Sequence, residues 1–221
     1  MQVLIIGASR GIGLELARQC LVAGDQVVAT ARDDAGLARL AALGAQPLKL
    51  DVASAAGCAG LAWPIDGALF HQVWLVAGVY GPRSSGLQPP TGDEFDTVMH
   101  TNVLAAMRLL PALADALAPG GALAVLSSRM GSIGLRNSTS GWLYRASKAA
   151  LNSVLKDASL ALAGRAICVS LHPGWVQTDM GGGAADLAVA RSVADLRATV
   201  GRLGPADNGH FLNHDGQPLD W

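Results

Sequence analysis

Apolar residues along this chain come in short, nearly unbroken runs separated by stretches of helical periodicity, and the alternation continues from end to end. The runs predict strands at Gln2–Ile6, Gln26–Thr30, Gln46–Leu50, Gln72–Val76, Ala122–Ser127, Ala166–His172 and His210–Leu212. Several are apolar at consecutive positions, as strands are when helices cover both faces of their sheet. Helices are predicted over Gly13–Ala23, Asp33–Leu43, Ala55–Ala62, Gly92–Leu117, Leu143–Leu162 and Val189–Leu203. Strands alternating with helices imply crossover connections. The expected fold is therefore α/β, with a seven-stranded, mainly parallel sheet sandwiched by helices in a single domain over 1–221. Thr91 and Glu94 have the spacing of a capping box. Pro111 lacks a backbone donor and is expected to bend or divide the long fourth helix.

Composition narrows the function classes. Of 221 residues, 51% are hydrophobic and 15% charged, which suits a chain with a large core. A net charge of -1 gives no electrostatic reason to expect nucleic acid or an anionic membrane, so a small molecule is the expected partner. Cys20, Cys58 and Cys168 are too dispersed for a metal site and are read as reduced core residues. Charged residues interrupt every apolar stretch before it reaches the roughly 18 to 20 residues of a membrane helix. A cytoplasmic location is expected.

The first chemical signal is Gly7-Ala8-Ser9-Arg10-Gly11-Ile12-Gly13, between a predicted strand and a predicted helix. Glycines at this spacing let the chain turn tightly and bring backbone amides against a pyrophosphate, which the helix N-terminus also attracts. After the second strand the chain reads Thr30-Ala31-Arg32, where an acidic residue would be expected to bind the ribose hydroxyls of NAD. Arg32 and Arg10 are instead candidates for embracing a 2′-phosphate, making NADP(H) the expected cofactor. Asp51, after the third strand, is a candidate for the adenine amino group or an ordinary turn residue.

Tyr144 and Lys148 are four apart at the start of a predicted helix and so share a face. A phenol that ionises near ~10 is a poor proton donor at neutrality, and an adjacent ammonium is expected to lower that value. By itself the pair is a weak motif. It gains weight from Ser127-Ser128 at the end of the fifth strand, Asn102 in the preceding helix, Ala77-Gly78 after the fourth strand, and Pro173-Gly174 with Thr178-Asp179 after the sixth.

With this ordered set the chain resembles the short-chain dehydrogenase/reductases over nearly its whole length, and within them the C-factor-like and sniffer-like carbonyl reductases. The runs Ser127–Ile133, Tyr144–Asn152, His172–Met180 and Phe211–Gly216 carry the closer likeness. The resemblance implies a Rossmann fold and an NADP(H)-dependent exchange of hydride with a carbonyl or alcohol. In it Tyr144 is the acid/base, Lys148 binds the nicotinamide ribose and lowers the phenol's pKa, Ser128 holds the substrate carbonyl, and Asn102 positions a water linking Lys148 to solvent. The cofactor would be held by Gly7, Ser9, Arg10, Gly11, Ile12, Gly13, Arg32, Asp51, Val52, Ala77, Gly78, Tyr144, Lys148, Pro173, Gly174, Val176 and Thr178. No metal is called for, and a homodimer or homotetramer is the expected assembly. Two departures stand out: Leu75-Val76 occupy positions where the family carries two asparagines, and the interval from Ser128 to Tyr144 is longer than usual, which makes Ser132 a rival serine. The missing asparagines keep open an alternative, a cofactor-binding signalling or regulatory protein with little turnover. Val79, Tyr80, Leu87, Trp142, Trp175 and Met180 are the expected pocket walls, suited to hydrophobic aldehydes, ketones or quinones.

Overall fold

The computed structural model describes residues 1–221. Seven strands, β1 (Gln2–Ile6), β2 (Gln26–Ala31), β3 (Gln46–Lys49), β4 (Phe70–Leu75), β5 (Leu117–Leu126), β6 (Ile167–His172) and β7 (His210–Asn213), form one sheet in the order β3-β2-β1-β4-β5-β6-β7. Every neighbouring pair is parallel, β7 included. The sheet is thus parallel throughout rather than mainly so. The helices are α1 (Gly11–Val22), α2 (Asp34–Leu43), α3 (Ala55–Gly60), α4 (Gly92–Met99), α5 (Ala105–Asp115), α6 (Trp142–Ala161) and α7 (Val189–Val200). The strand order reverses direction between β1 and β4, which opens a crevice at the carboxyl ends of the two central strands.

The unbroken apolar runs are explained by burial on both faces. In β1, Leu4 and Ile6 join one core with residues of α3, α5 and α6, while Val3 and Ile5 join the other with α1, α2 and α7; all four have no exposed surface. Trp74 of β4 faces the second core, and Val73 and Leu75 face the first. All three cysteines are free and buried. No helix is long and apolar enough to cross a membrane.

The long fourth helix divides elsewhere than expected. Pro111 lies inside α5, and the interruption falls upstream, at a π-helical turn over His100–Leu104 that separates α4 from α5. There the Ala105 N–H bonds to the His100 carbonyl, one residue wider than an α-turn. Side-chain reach accounts for the location: Asn102, inside the wide turn, bonds both backbone groups of Val79. The capping box at Thr91 and Glu94 forms as its spacing predicts.

β5 is flanked by β4 and β6, and Leu123 within it has no exposed surface. Leu123→Ala should destabilise the chain by about 3 kcal/mol, because the cavity it leaves cannot collapse between two strands. Urea unfolding followed by far-UV circular dichroism measures the difference.

Candidate active site

At the carboxyl end of β1 the chain turns so tightly that only glycine fits. Gly7 has φ +91, and a Cβ there would lie 2.7 Å from the Ala77 backbone; a Cβ on Gly13 would run into the Gly7 carbonyl. These contacts bring the turn against the start of α1 and against the segment after β4. No side chain caps α1 at Arg10, and its first turn carries no acidic residue, so the helix start can receive an anion. Arg10 is paired with Asp179 at 2.7 Å; both side chains are exposed, and the pair adds little stability. Arg32 is exposed just past β2. Arg39, on α2, donates from Nε to the Ser9 carbonyl at 3.1 Å, a basic group on this loop that the sequence reading did not single out. Asp51 accepts from the Ala53 N–H at 3.1 Å, in keeping with the turn role left open for it. Val52 is half-buried beside it.

Next to this loop lie the four residues singled out as a catalytic set. Asn102 is buried; its Oδ1 accepts from Val79 N–H at 2.8 Å, and its Nδ2 donates to Val79 O at 2.8 Å and Ser147 Oγ at 2.9 Å. A Cβ on Gly78 would sit 3.2 Å from Asn102 Oδ1 and 3.4 Å from Lys148 Nζ, so the three converge. Lys148 Nζ donates to Leu126 O at 2.8 Å and lies 5.7 Å from the Tyr144 ring centroid. The Ser128 hydroxyl lies beside the Tyr144 phenol, where it favours the charged form, and its Oγ accepts from Met130 N–H at 3.1 Å. The rival Ser132 is fully buried and otherwise engaged: its Oγ donates to Trp221 O at 3.2 Å and accepts from Leu135 N–H at 3.0 Å. Trp221 O also receives the N–H groups of Ile133 and Gly134, and its ring stacks on Phe211, so Trp221 straps the loop after β5.

The electrostatics differ from the sequence expectation. Burial pushes the Tyr144 phenol up to about 12, opposed by the nearby Ser128 hydroxyl and reinforced by the neighbouring Tyr80 phenol. Lys148 does not lower it in this arrangement. Burial instead pulls the Lys148 ammonium down to about 8. Both shifts have one physical cause, the cost of charging a group in low dielectric.

The segment after β6 closes the crevice. Gly174 is left-handed at φ +86, Val176 is buried and paired with Leu187, and Pro173 O accepts from Ser192 Oγ at 2.6 Å. Thr178 Oγ1 accepts from Gly181 N–H at 3.1 Å, and Trp175 Nε1 donates to Gly181 O at 2.9 Å, so this glycine-rich stretch is held at Gly181. The missing asparagines leave no gap in the ladder, since the Val76 and Ala77 N–H groups both reach Ile6 O. A separate cavity of about 430 Å³, lined by Gln2, Asp25, Gln26 and Phe70, opens at the opposite ends of the strands and holds none of this chemistry.

A family model described as enoyl-(acyl carrier protein) reductase matches residues 7–209. The chain belongs to the short-chain dehydrogenase/reductase family. Among solved members, the carbonyl reductase Sniffer of D. melanogaster is 32% identical with a TM-score of 0.90, covering 100% of this chain and 99% of that one. A carbonyl reductase from Pseudomonas aeruginosa PAO1 in complex with NADP is 35% identical with a TM-score of 0.87 and the same coverage. The C-signal of Myxococcus xanthus is 37% identical over 123 residues, which are 54% of this chain and 74% of that protein.

For a short-chain dehydrogenase/reductase, burying a lysine this deeply has a measurable linkage. The unfolded lysine keeps its proton to about 10.5, whereas folded Lys148 releases it at about 8, so between these values the unfolded state binds more protons and stability rises with pH. Tyr144 has the opposite sign, because its folded pKa is raised from 10 to about 12 and stability falls across that window. Wild type should therefore gain stability relative to Lys148→Met as pH rises from 8 to 10. Parallel denaturant titrations at several pH values measure this, and a difference independent of pH would contradict the buried charge.

Proposed function

We propose that this chain is an NADP(H)-dependent reductase of small carbonyl compounds, acting as one unit over 1–221. The observation that carries the reading is the convergence of Tyr144, Ser128 and Lys148 beside a glycine loop shaped for a pyrophosphate. NADP(H), when bound, supplies or accepts the hydride. Ser128 and the Tyr144 hydroxyl act as paired donors to the substrate oxygen, and Tyr144 delivers the proton that neutralises the developing alkoxide. Lys148 orients the nicotinamide ribose. Asn102 keeps Val79 and Ser147 in register around Lys148, a role its three side-chain bonds support more directly than the holding of a water. Gly7, Ser9, Gly11, Ile12 and Gly13 cradle the pyrophosphate, Asp51 and Val52 border the adenine, and Ala77, Gly78, Pro173, Gly174, Val176 and Thr178 border the nicotinamide half.

Arg32 is the main 2′-phosphate ligand in this reading, with Arg39 held on the Ser9 carbonyl beside it and Arg10 released from Asp179 on binding. Val79, Trp142, Trp175 and Met180 supply an apolar wall that favours hydrophobic aldehydes, ketones or quinones over anionic ones. Exposed Met107 on α5 and Leu160 on α6 support self-association through those helices, as a homodimer or homotetramer. The cytoplasm is the compartment we assign.

Tyr144→Phe should lower turnover at least ~100-fold while leaving NADPH binding near wild type, since only the transferable proton is lost. NADPH oxidation followed at 340 nm, with fluorescence titration of cofactor, checks both. NADPH should bind more tightly than NADH, and Arg32→Asp should erase that preference by about 2 kcal/mol, roughly thirtyfold in relative Kd. Equal wild-type affinity for the two cofactors would remove the arginine assignment.

A further inference from the structure

The loop after β4 does more than border the crevice. Tyr80 stacks on Tyr144 with ring centroids 4.6 Å apart and planes inclined by 24°. The Arg83 guanidinium lies 5.4 Å from the Tyr80 centroid, and its Nη2 donates to Met180 O at 3.3 Å, on the segment after β6. Lys148 Nζ faces the Tyr144 ring from 5.7 Å. Guanidinium, phenol, phenol and ammonium are thus in contact in series, each cation facing a ring.

The start of α6 needs such support. Its N-cap, Gly141, is left-handed and offers no side-chain cap, so the first turn, which carries Tyr144, is held from within the helix only by Arg145, whose Nε donates to Ser140 O at 2.8 Å. The same loop supplies what is missing. Gly141 N–H bonds to Ser84 O at 3.0 Å, Tyr80 covers the Tyr144 ring, and the loop's own root is clamped at Val79 by Asn102.

We propose that Tyr80 is a positioning residue for the Tyr144 phenol, with Arg83 holding Tyr80 in place by its contact with the Met180 segment. The inference rests on Tyr144 being the acid/base. A ring free to swing by about 1 Å loses alignment with the substrate oxygen, a displacement that can cost ~100-fold in rate without touching cofactor affinity.

The test measures kcat, KM and NADPH Kd for Tyr80→Leu, Tyr80→Phe and Arg83→Ala, with Tyr144→Phe alongside and melting temperature for each variant. Tyr80→Leu should lower kcat at least ~10-fold with NADPH Kd and the carbonyl KM within threefold of wild type, and Tyr80→Phe, which keeps the stacked ring, should recover kcat to within about threefold. Arg83→Ala, at an exposed position, should lower kcat by a smaller factor of about two to five with an unchanged melting temperature, and it reads the proposal even if Tyr80→Leu does not fold. A wild-type kcat in both Tyr80→Leu and Arg83→Ala, with Tyr144→Phe inactive, would overturn the positioning role and leave the acid/base assignment standing. Full activity in Tyr144→Phe would remove that assignment and this inference with it. Failure of Tyr80→Phe to recover kcat would also overturn the role of the ring.

Discussion

The Lys148 ammonium has almost no exposed surface and donates to the carbonyl of Leu126, the last residue of β5. Taking that charge out of water is expensive, and the surroundings are arranged around it. A Cβ on Gly131 would lie 2.8 Å from the Lys148 backbone, so the turn carrying Ser128 can press onto α6 only with glycine there. Ser147, its neighbour on α6, is bonded by Asn102, which in turn holds the loop after β4. Around this buried cation β5, α6, the turn after β5 and the wide turn between α4 and α5 all meet. Enclosing a lysine here costs stability, which its hydrogen bond to Leu126 O only partly offsets.

Topology does the remaining positioning. Reversal of strand order between β1 and β4 leaves the glycine loop and the segment after β4 side by side, in contact at Gly7 and Ala77. The loops after β4 and β6 then meet over the crevice through Arg83 and Met180, while Arg10 and Asp179 join the glycine loop to the far wall. These cross-loop contacts are one hydrogen bond and one exposed ion pair, each a small contribution to stability.

Much of this was legible in the sequence, because burial on both faces of a parallel sheet writes itself as consecutive apolar residues; Val3 to Ile6 are the plainest example. The glycines, Ser128, Tyr144 and Lys148 were legible because sterics and chemistry restrict those positions to few residue types. Pro111 misled because a proline signals only a missing donor, whereas the actual break at His100–Leu104 serves a side-chain contact with Val79, distant in sequence. The direction of the Tyr144 shift was misread because spacing reveals that a lysine is near but not how completely both groups are enclosed. Arg39 and Tyr80 carry no motif; only the folded chain brings one to Ser9 and the other to Tyr144.

The strap at Trp221 has a consequence for the order in which the molecule can be assembled. Ser132, Ile133 and Gly134 give hydrogen bonds to a carbonyl that lies 87 or more residues further along the chain. During synthesis the sheet can begin to form from the N-terminal side, yet the turn bearing Ser128 cannot take its final shape until Trp221 has cleared the ribosome. A nascent chain halted short of Trp221 would already carry Tyr144 and Lys148 on α6 while the turn bearing Ser128 lacked the oxygen that gathers Ser132, Ile133 and Gly134.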